Sequence, residues 1–479
     1  MARSTILLAV LLVGCPTPGV GPDTDTTPPV DTDDTDDTRD TSDTQDTDDS
    51  PPPEGDFHSL TWRLHDDVES LVWASWTQDI AATVHIEFAF EEQEWMSTAS
   101  WELEPGTYEK LLVGIPFGHD ADWKVVVEAD GAGFDGETIS TSEIPEGWPS
   151  PSVEISDSAS WYESGNYLLT SINQDSGGWM SGTYWTFIID RQGRLVYAHK
   201  APQRHWTLFA QVSVTGDHFL WDEATYWSNW DGGAGSSVHR AYLDKEIEEI
   251  WTPGLHHAFV QLPDTNLVWG SQYHGGEESL VEKALDAGEK DTGTVLWSCE
   301  SDWPDSGRCE SNGLFYNVES DSFLYSFYTN NSLVEVDHTS GESMWWAGEV
   351  GGGYKFDPTN SQFSWQHGVS YNAEGNLMVS THSQSGSMTT LVREYEVDHD
   401  AKTLHQVWSY DAGVFASTNG DAWRLPNGNT LHLLGSAGEI KEVTEDGTVV
   451  WHVDWHAEKL LGRGEYISDL YTLVSPQAK

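Results

Sequence analysis

Six stretches of the chain close on an aromatic residue after a short β-forming run. They are Gly193-Arg194-Leu195-Val196-Tyr197, Ile247-Glu248-Glu249-Ile250-Trp251, Gly293-Thr294-Val295-Leu296-Trp297, Gly341-Glu342-Ser343-Met344-Trp345, Leu404-His405-Gln406-Val407-Trp408 and Gly447-Thr448-Val449-Val450-Trp451. They recur roughly every 45 to 60 residues, enough for four short strands and their turns. A unit of this size cannot bury its apolar faces alone, so its copies must stack. No helical periodicity persists anywhere. The expected fold is all-β, with residues 151–479 forming a six-bladed β-propeller. Closing aromatics packed between blades would then account for most of the 25 Trp.

A second register runs inside the repeat. His257, His367 and Gly420 each stand nine positions before a turn asparagine, namely Asn266, Asn376 and Asn429. Equivalent residues of a repeat are equivalent in space. The innermost strand of a propeller blade lines the central channel, so His257 and His367 are aimed at one mouth. The same register puts Phe209 or Ala210 there in the second blade, Glu310 to Asn312 in the fourth and Gly420-Asp421 in the sixth. Strand alternation gives His256 the opposite parity and turns it away from His257.

Ahead of the repeats, residues 56–150 alternate apolar and polar residues, as in Ser70-Leu71-Val72-Trp73-Ala74-Ser75-Trp76. Short strands at even spacing predict a small β-sandwich, fibronectin- or immunoglobulin-like. Residues 16–55 are dominated by Asp, Thr and Pro, with twelve Asp and one Arg between positions 21 and 50. Such a segment has nothing to bury and repels itself, so a disordered linker is expected. Residues 1–15 read as a signal peptide, and Leu12-Val13-Gly14-Cys15 has the form of a bacterial lipobox with Cys15 as the lipidated residue. The expectation is an exported lipoprotein, membrane-anchored through that lipid, in the periplasm or at the cell surface.

Charge and cysteines narrow the functional classes. A net charge of −57 opposes nucleic acid, whose binding needs basic surface. With Cys15 lipidated, Cys299 and Cys309 remain, and a disulfide across their short turn-rich loop suits export. No CxxC or HExxH motif offers a metal site, and neither metal nor cofactor is expected. No GxxxxGK[ST] loop offers a nucleotide site, and no GxSxG elbow a serine nucleophile.

Three phrases carry a family resemblance: His256-His257 followed by Gln261-Leu262-Pro263, Gln366-His367 before a strand, and the last repeat. That repeat runs from Trp423-Arg424-Leu425-Pro426-Asn427-Gly428-Asn429-Thr430-Leu431 through Gly435-Ser436-Ala437-Gly438-Glu439-Ile440-Lys441-Glu442-Val443. At these residues the chain resembles the bacterial aryl-sulfate sulfotransferases (arylsulfotransferases), over about 160–460. The resemblance implies a six-bladed propeller that moves a sulfuryl group from a phenolic sulfate to a phenol, without a nucleotide donor, through a sulfo-histidine. By motif the nucleophile falls on His367 and a second active-site histidine on His257.

The resemblance also implies a histidine two residues before Asn312 and an arginine on the following strand. This sequence has Glu310 and Tyr328 there. Asn312 and Tyr328 become candidate hydrogen-bond donors to the sulfate, beside Glu310. His382, Arg204 and His205 are candidate sources of the missing positive charge. The rival expectation is a non-catalytic, surface-anchored propeller that binds a glycan or an aromatic ligand.

Overall fold

The computed structural model describes residues 56–475, apart from 92–93, 176–181, 229–230, 245–246, 274–277, 286, 289, 304–308, 384–387 and 457–458. The expected signal peptide, Cys15 and the Asp/Thr-rich linker lie outside the described residues. Gly55–Lys479 form one compact unit. It is all-β and propeller-like, with strands throughout and only single-turn helical pieces.

Two antiparallel sheets come first. Phe57–Leu64, Val72–Gln78 and Gly106–Leu112 make one; Ala82–Phe90 and Asp120–Val127 centre the other. Val72, Ala74 and Trp76 alternate with less buried neighbours along their strand and share a core with Val84, Ile86, Phe88 and Trp123 of the other sheet. Period-two alternation with one buried face is what lets an antiparallel sheet cover a core and still face water. Leu71, Leu111 and Val113 pack onward against Leu169, Ile188 and Tyr197, so the core of these sheets runs into that of the repeat region.

Among the described residues, six more sheets follow in chain order. The simplest pairs Leu255–Gln261, Leu267–Ser271, Ser279–Lys283 and Thr294–Ser298; the next pairs Ser311–Asn317, Ser322–Phe327, Ser332–Asp337 and Ser343–Gly348. The closing segments identified in the sequence fall on the outermost strand of their hairpin series in both of these sheets. Trp297, Trp345 and Trp451 are nearly or fully buried. Two pairings join the ends of this region. Glu465–Ile467 pairs with Tyr167–Asn173, and Ser152–Ile155 pairs with Val449–Asp454.

The turn asparagines explain the second register. Asn266, Asn376 and Asn429 donate through Nδ2 to Glu282, Glu394 and Glu442 on the third strand of their own sheets, at 2.7, 2.8 and 2.7 Å. The register is thus first a structural device that fixes the turn leading from each inner strand into the second strand of its sheet. It also accounts for the glycine in its third copy. Gly420 has φ +120°, and a Cβ there would lie 2.6 Å from the Leu433 carbonyl, so a histidine cannot occupy that position without strain.

Candidate active site

His257 and His367 line one cavity of about 130 Å3, walled by Trp227, Tyr328, Trp365 and Asn419. The Tyr328 ring stands between the two imidazoles, its centroid 6.5 Å from that of His257 and 6.4 Å from that of His367. Trp227 packs edge-on to His257 at 5.0 Å.

His367 sits just ahead of the Val369–Tyr371 strand. Its backbone N–H donates to Ser380 O at 3.0 Å. Gln366 beside it is fully buried and donates to Ser326 Oγ, Phe327 O and Ser332 O of the preceding sheet. This anchor fixes the segment. The His367 Nδ1 is 3.0 Å from Trp365 O, so Nδ1 carries the proton and Nε2 the lone pair. Burial first, then the charges of His382 and Arg463, push the His367 imidazolium down to about 3 against the hydrogen bond to Trp365. His367 is therefore neutral across the physiological range.

His257 is held differently. A bulge interrupts its strand between Leu255 and Phe259, and His257 has φ +64°. A non-glycine residue in this region is strained and often functional. The kink overturns the parity expectation for His256: the two Nδ1 atoms are 3.0 Å apart rather than on opposite faces. Burial, with smaller contributions from His256, His367 and Arg463, holds His257 well below its ordinary range.

The remaining sequence candidates divide. Tyr328 lines the cavity and donates to Glu310, which is exposed at the rim. Asn312 is fully buried; its Nδ2 donates to Gln366 O at 2.5 Å and its Oδ1 accepts from Ser326 Oγ at 2.9 Å. Its amide is engaged in locking two sheets together, not in facing a ligand. His382 stacks on His367 at 6.3 Å, but its Nε2 is bonded to Ala416 O at 2.7 Å and burial lowers its pKa. It supports the His367 ring and does not line the cavity. Arg204 is exposed, and His205 pairs with Glu223 at 3.0 Å; neither lines the cavity.

The cation near the site is one that sequence reasoning passed over. Arg463 is 2% exposed and donates to the carbonyls of Asn312 and His367. Its charge acts on both histidines. It follows the last closing segment, where the repeat supplies no register. Its signal is the pair of flanking glycines: a Cβ at Gly462 would lie 2.0 Å from Ser171 Oγ, and one at Gly464 2.0 Å from Leu169 O. Only a chain without side chains there could thread so close to the neighbouring strand and deliver the guanidinium inward. Trp227 and Trp365 were also passed over, hidden among many structural tryptophans. Among the described residues no group of three or more His, Cys, Asp or Glu is set to hold a metal ion.

Fold and site together define an all-β, propeller-like protein with two neutral histidines in an aromatic-walled cavity. Residues 316–456 match the family model described as Arylsulfotransferase (ASST). The matched stretch contains Tyr328, His367 and His382 and stops short of His257 and Arg463. No curated protein matches the chain. Among solved structures it is similar to a protein of unknown function from Bacteroides caccae, at 12% identity over 60% of this chain and 93% of that one, with a TM-score of 0.39. It is also similar to the Cps50 (Swd1) beta-propeller domain of Myceliophteria thermophila, at 13% identity over 64% and 87%, TM-score 0.37. A third is the virginiamycin B lyase of Staphylococcus aureus, at 12% identity over 63% and 100%, TM-score 0.32.

Proposed function

We propose that this protein is a nucleotide-independent aryl-sulfate sulfotransferase, built as a six-bladed propeller behind a fibronectin- or immunoglobulin-like sandwich. In this reading it is exported and tethered to a membrane by a lipid on Cys15. The observation that carries the activity is the pairing of His367 and His257 in one aromatic-walled cavity, with Nδ1 of each engaged and Nε2 of each left to the cavity. A cavity of about 130 Å3 is close to the size that holds one benzene ring. Trp227, Trp365 and Tyr328 give that ring faces to lie against.

Sulfuryl transfer, like phosphoryl transfer, leaves negative charge on peripheral oxygens and depends on positioning and electrostatics. His367 Nε2 attacks sulfur, the bond from sulfur to the aryl oxygen breaks, and the leaving phenolate takes a proton from His257 Nε2. A phenol then binds, gives its proton to His257 and attacks the sulfur of the sulfo-histidine, which frees His367. Arg463 fixes the His367 carbonyl, and its positive charge is felt at both histidines.

The test is release of nitrophenol from 4-nitrophenyl sulfate in the presence of a phenol. Wild type releases it, His367→Ala does not, and intact mass after donor alone shows one sulfuryl adduct. Absence of release with every phenolic acceptor overturns the reading. Saturable phenol binding without turnover would instead favour a non-catalytic aromatic-binding propeller, which the tryptophan walls also suit.

A further inference from the structure

A line of buried groups runs back from the cavity behind His257. His256 Nδ1 is 3.0 Å from His257 Nδ1, and His256 Nε2 is 3.1 Å from Glu278 Oε2. His256 is 1% exposed and Glu278 2%, so this chain of ring nitrogens is closed to solvent. The Glu278 carboxylate is fully engaged: it accepts from Tyr325 Oη, from Gln272 Nε2 at 3.2 Å and from the Ser311 N–H at 3.5 Å as well as from His256. The Tyr226 ring lies over His256 at 4.8 Å, and its hydroxyl donates to Gln272 Oε1 at 2.6 Å. Burial alone would raise the Glu278 pKa, but the His256 charge and the hydrogen bonds from His256, Tyr325 and Ser311 outweigh it, and the carboxyl stays below its ordinary range.

The proton between two imidazoles that face through Nδ1 sits on one ring or on the other. With both His256 nitrogens protonated, His256 Nδ1–H donates to His257 Nδ1, and His257 presents Nε2–H to the cavity. With His256 protonated only at Nε2, toward Glu278, His257 carries its proton on Nδ1 and presents a bare Nε2. The first pattern is a general acid, the second a general base. A two-step transfer needs both, in that order.

We propose that His256 and Glu278 are positioning residues that form a proton store behind His257. The inference rests on the sulfuryl-transfer reading. In the first half-reaction His257 Nε2–H protonates the leaving phenolate while the proton on His256 Nδ1 moves to His257 Nδ1. The store is then one proton short and His257 is a base. In the second half-reaction the acceptor phenol's proton goes to His257 Nε2, its oxygen attacks sulfur, and the bond from sulfur to His367 breaks. The proton on His257 Nδ1 returns to His256 and the resting state is restored. No other acid or base is required.

The leaving group provides the test, using the full chain. 4-Nitrophenolate leaves with little help, whereas phenolate needs a proton. His256→Gln should therefore lower kcat with phenyl sulfate by about 10²-fold or more and with 4-nitrophenyl sulfate by about tenfold or less, since general acid catalysis contributes about 10²–10⁴-fold. Equal losses with both donors overturn the proton store. A second measurement needs neither a variant nor turnover: ¹⁵N-histidine spectra of the resting wild type should show His256 protonated at both nitrogens and His257 at Nε2 only. A neutral His256 at neutral pH overturns it too. Failure of the wild type to turn over any aryl sulfate sinks the sulfuryl-transfer reading alone, because the spectra still decide the protonation pattern.

Discussion

The Tyr328 hydroxyl donates to the Glu310 carboxylate, and this bond holds the Tyr328 ring between His257 and His367. Burial, then Glu310, push the Tyr328 hydroxyl well above the usual phenol range, so it remains a protonated donor. The two residues at which the sequence differs from what its resemblance implies are thus one unit. On the sulfuryl-transfer reading the arrangement has an electrostatic cost, because a carboxylate at the rim would repel an arriving sulfate. Glu310→Gln keeps an acceptor for the hydroxyl and removes the charge. KM for 4-nitrophenyl sulfate should fall about fivefold, equivalent to ~1 kcal/mol for unit charges several ångströms apart near the surface, while kcat stays within about twofold. A KM that is unchanged or higher would place the sulfate away from Glu310.

Arg463 ties the start of one inner strand to the start of the next through the carbonyls of Asn312 and His367. Asp421 is the foremost opposing charge. Arg463→Met leaves two buried carbonyls without a donor, at roughly 2–4 kcal/mol of stability. It also loosens the segment carrying His367, so kcat should fall more than KM changes. Arg463→Lys retains the charge without the fork and should recover part of the stability but less of kcat. Denaturant unfolding and steady-state kinetics on both variants check this. Full activity in Arg463→Met would remove Arg463 from the site's support.

The all-β class and the hairpin series of the repeats were legible because their signals are local. Closing aromatics such as Trp297 and Trp451 follow β-forming runs, and turn asparagines recur at one offset. That His257 and His367 line one cavity was legible for the same reason, since they share a repeat position. Their surroundings were not. His256 reaches His257 only because φ +64° at His257 breaks the alternation on which strand parity depends. Asn312 looked like a ligand group, but its partners Gln366 and Ser326 lie 54 and 14 residues away and become visible only once the strands are paired. Glu310 and Tyr328 looked like two losses, and their bond across the strand pair makes them one compensated exchange.

The Cys299–Cys309 disulfide closes a ten-residue separation beside Trp303, which is 4% exposed and packs on Trp297 and Phe327. Closing a loop of this length stabilises the fold by roughly 2–3 kcal/mol through the unfolded state. Dithiothreitol should lower the denaturant midpoint of wild type by that equivalent and leave the Cys299→Ala/Cys309→Ala double variant unmoved. A wild-type midpoint indifferent to reductant would show that the bridge is absent or without effect on stability.

Asp222 offers a pH test of a buried carboxylate. It is 0% exposed, accepts from the Leu208 and Phe209 N–H groups at 2.8 Å, and its Oδ2 has no partner. Burial raises its pKa from 3.8 to about 7, against those two hydrogen bonds. Between these values the folded state holds a proton that the unfolded state has lost, so the contribution to stability declines as pH rises and levels off above about 7. Asp222→Asn keeps the acceptor and removes the titration. Wild type should therefore lose about 1 kcal/mol per pH unit relative to Asp222→Asn between about pH 5 and 7, and nothing further by about pH 8. His367 and His432, both pushed down to about 3 by burial first, act in the opposite direction at lower pH but are common to both proteins and cancel in the difference. Unfolding free energies measured at intervals of about one pH unit across this range decide the matter. Parallel curves for the two proteins would mean that Asp222 is ionised throughout, with its charge met by Arg463.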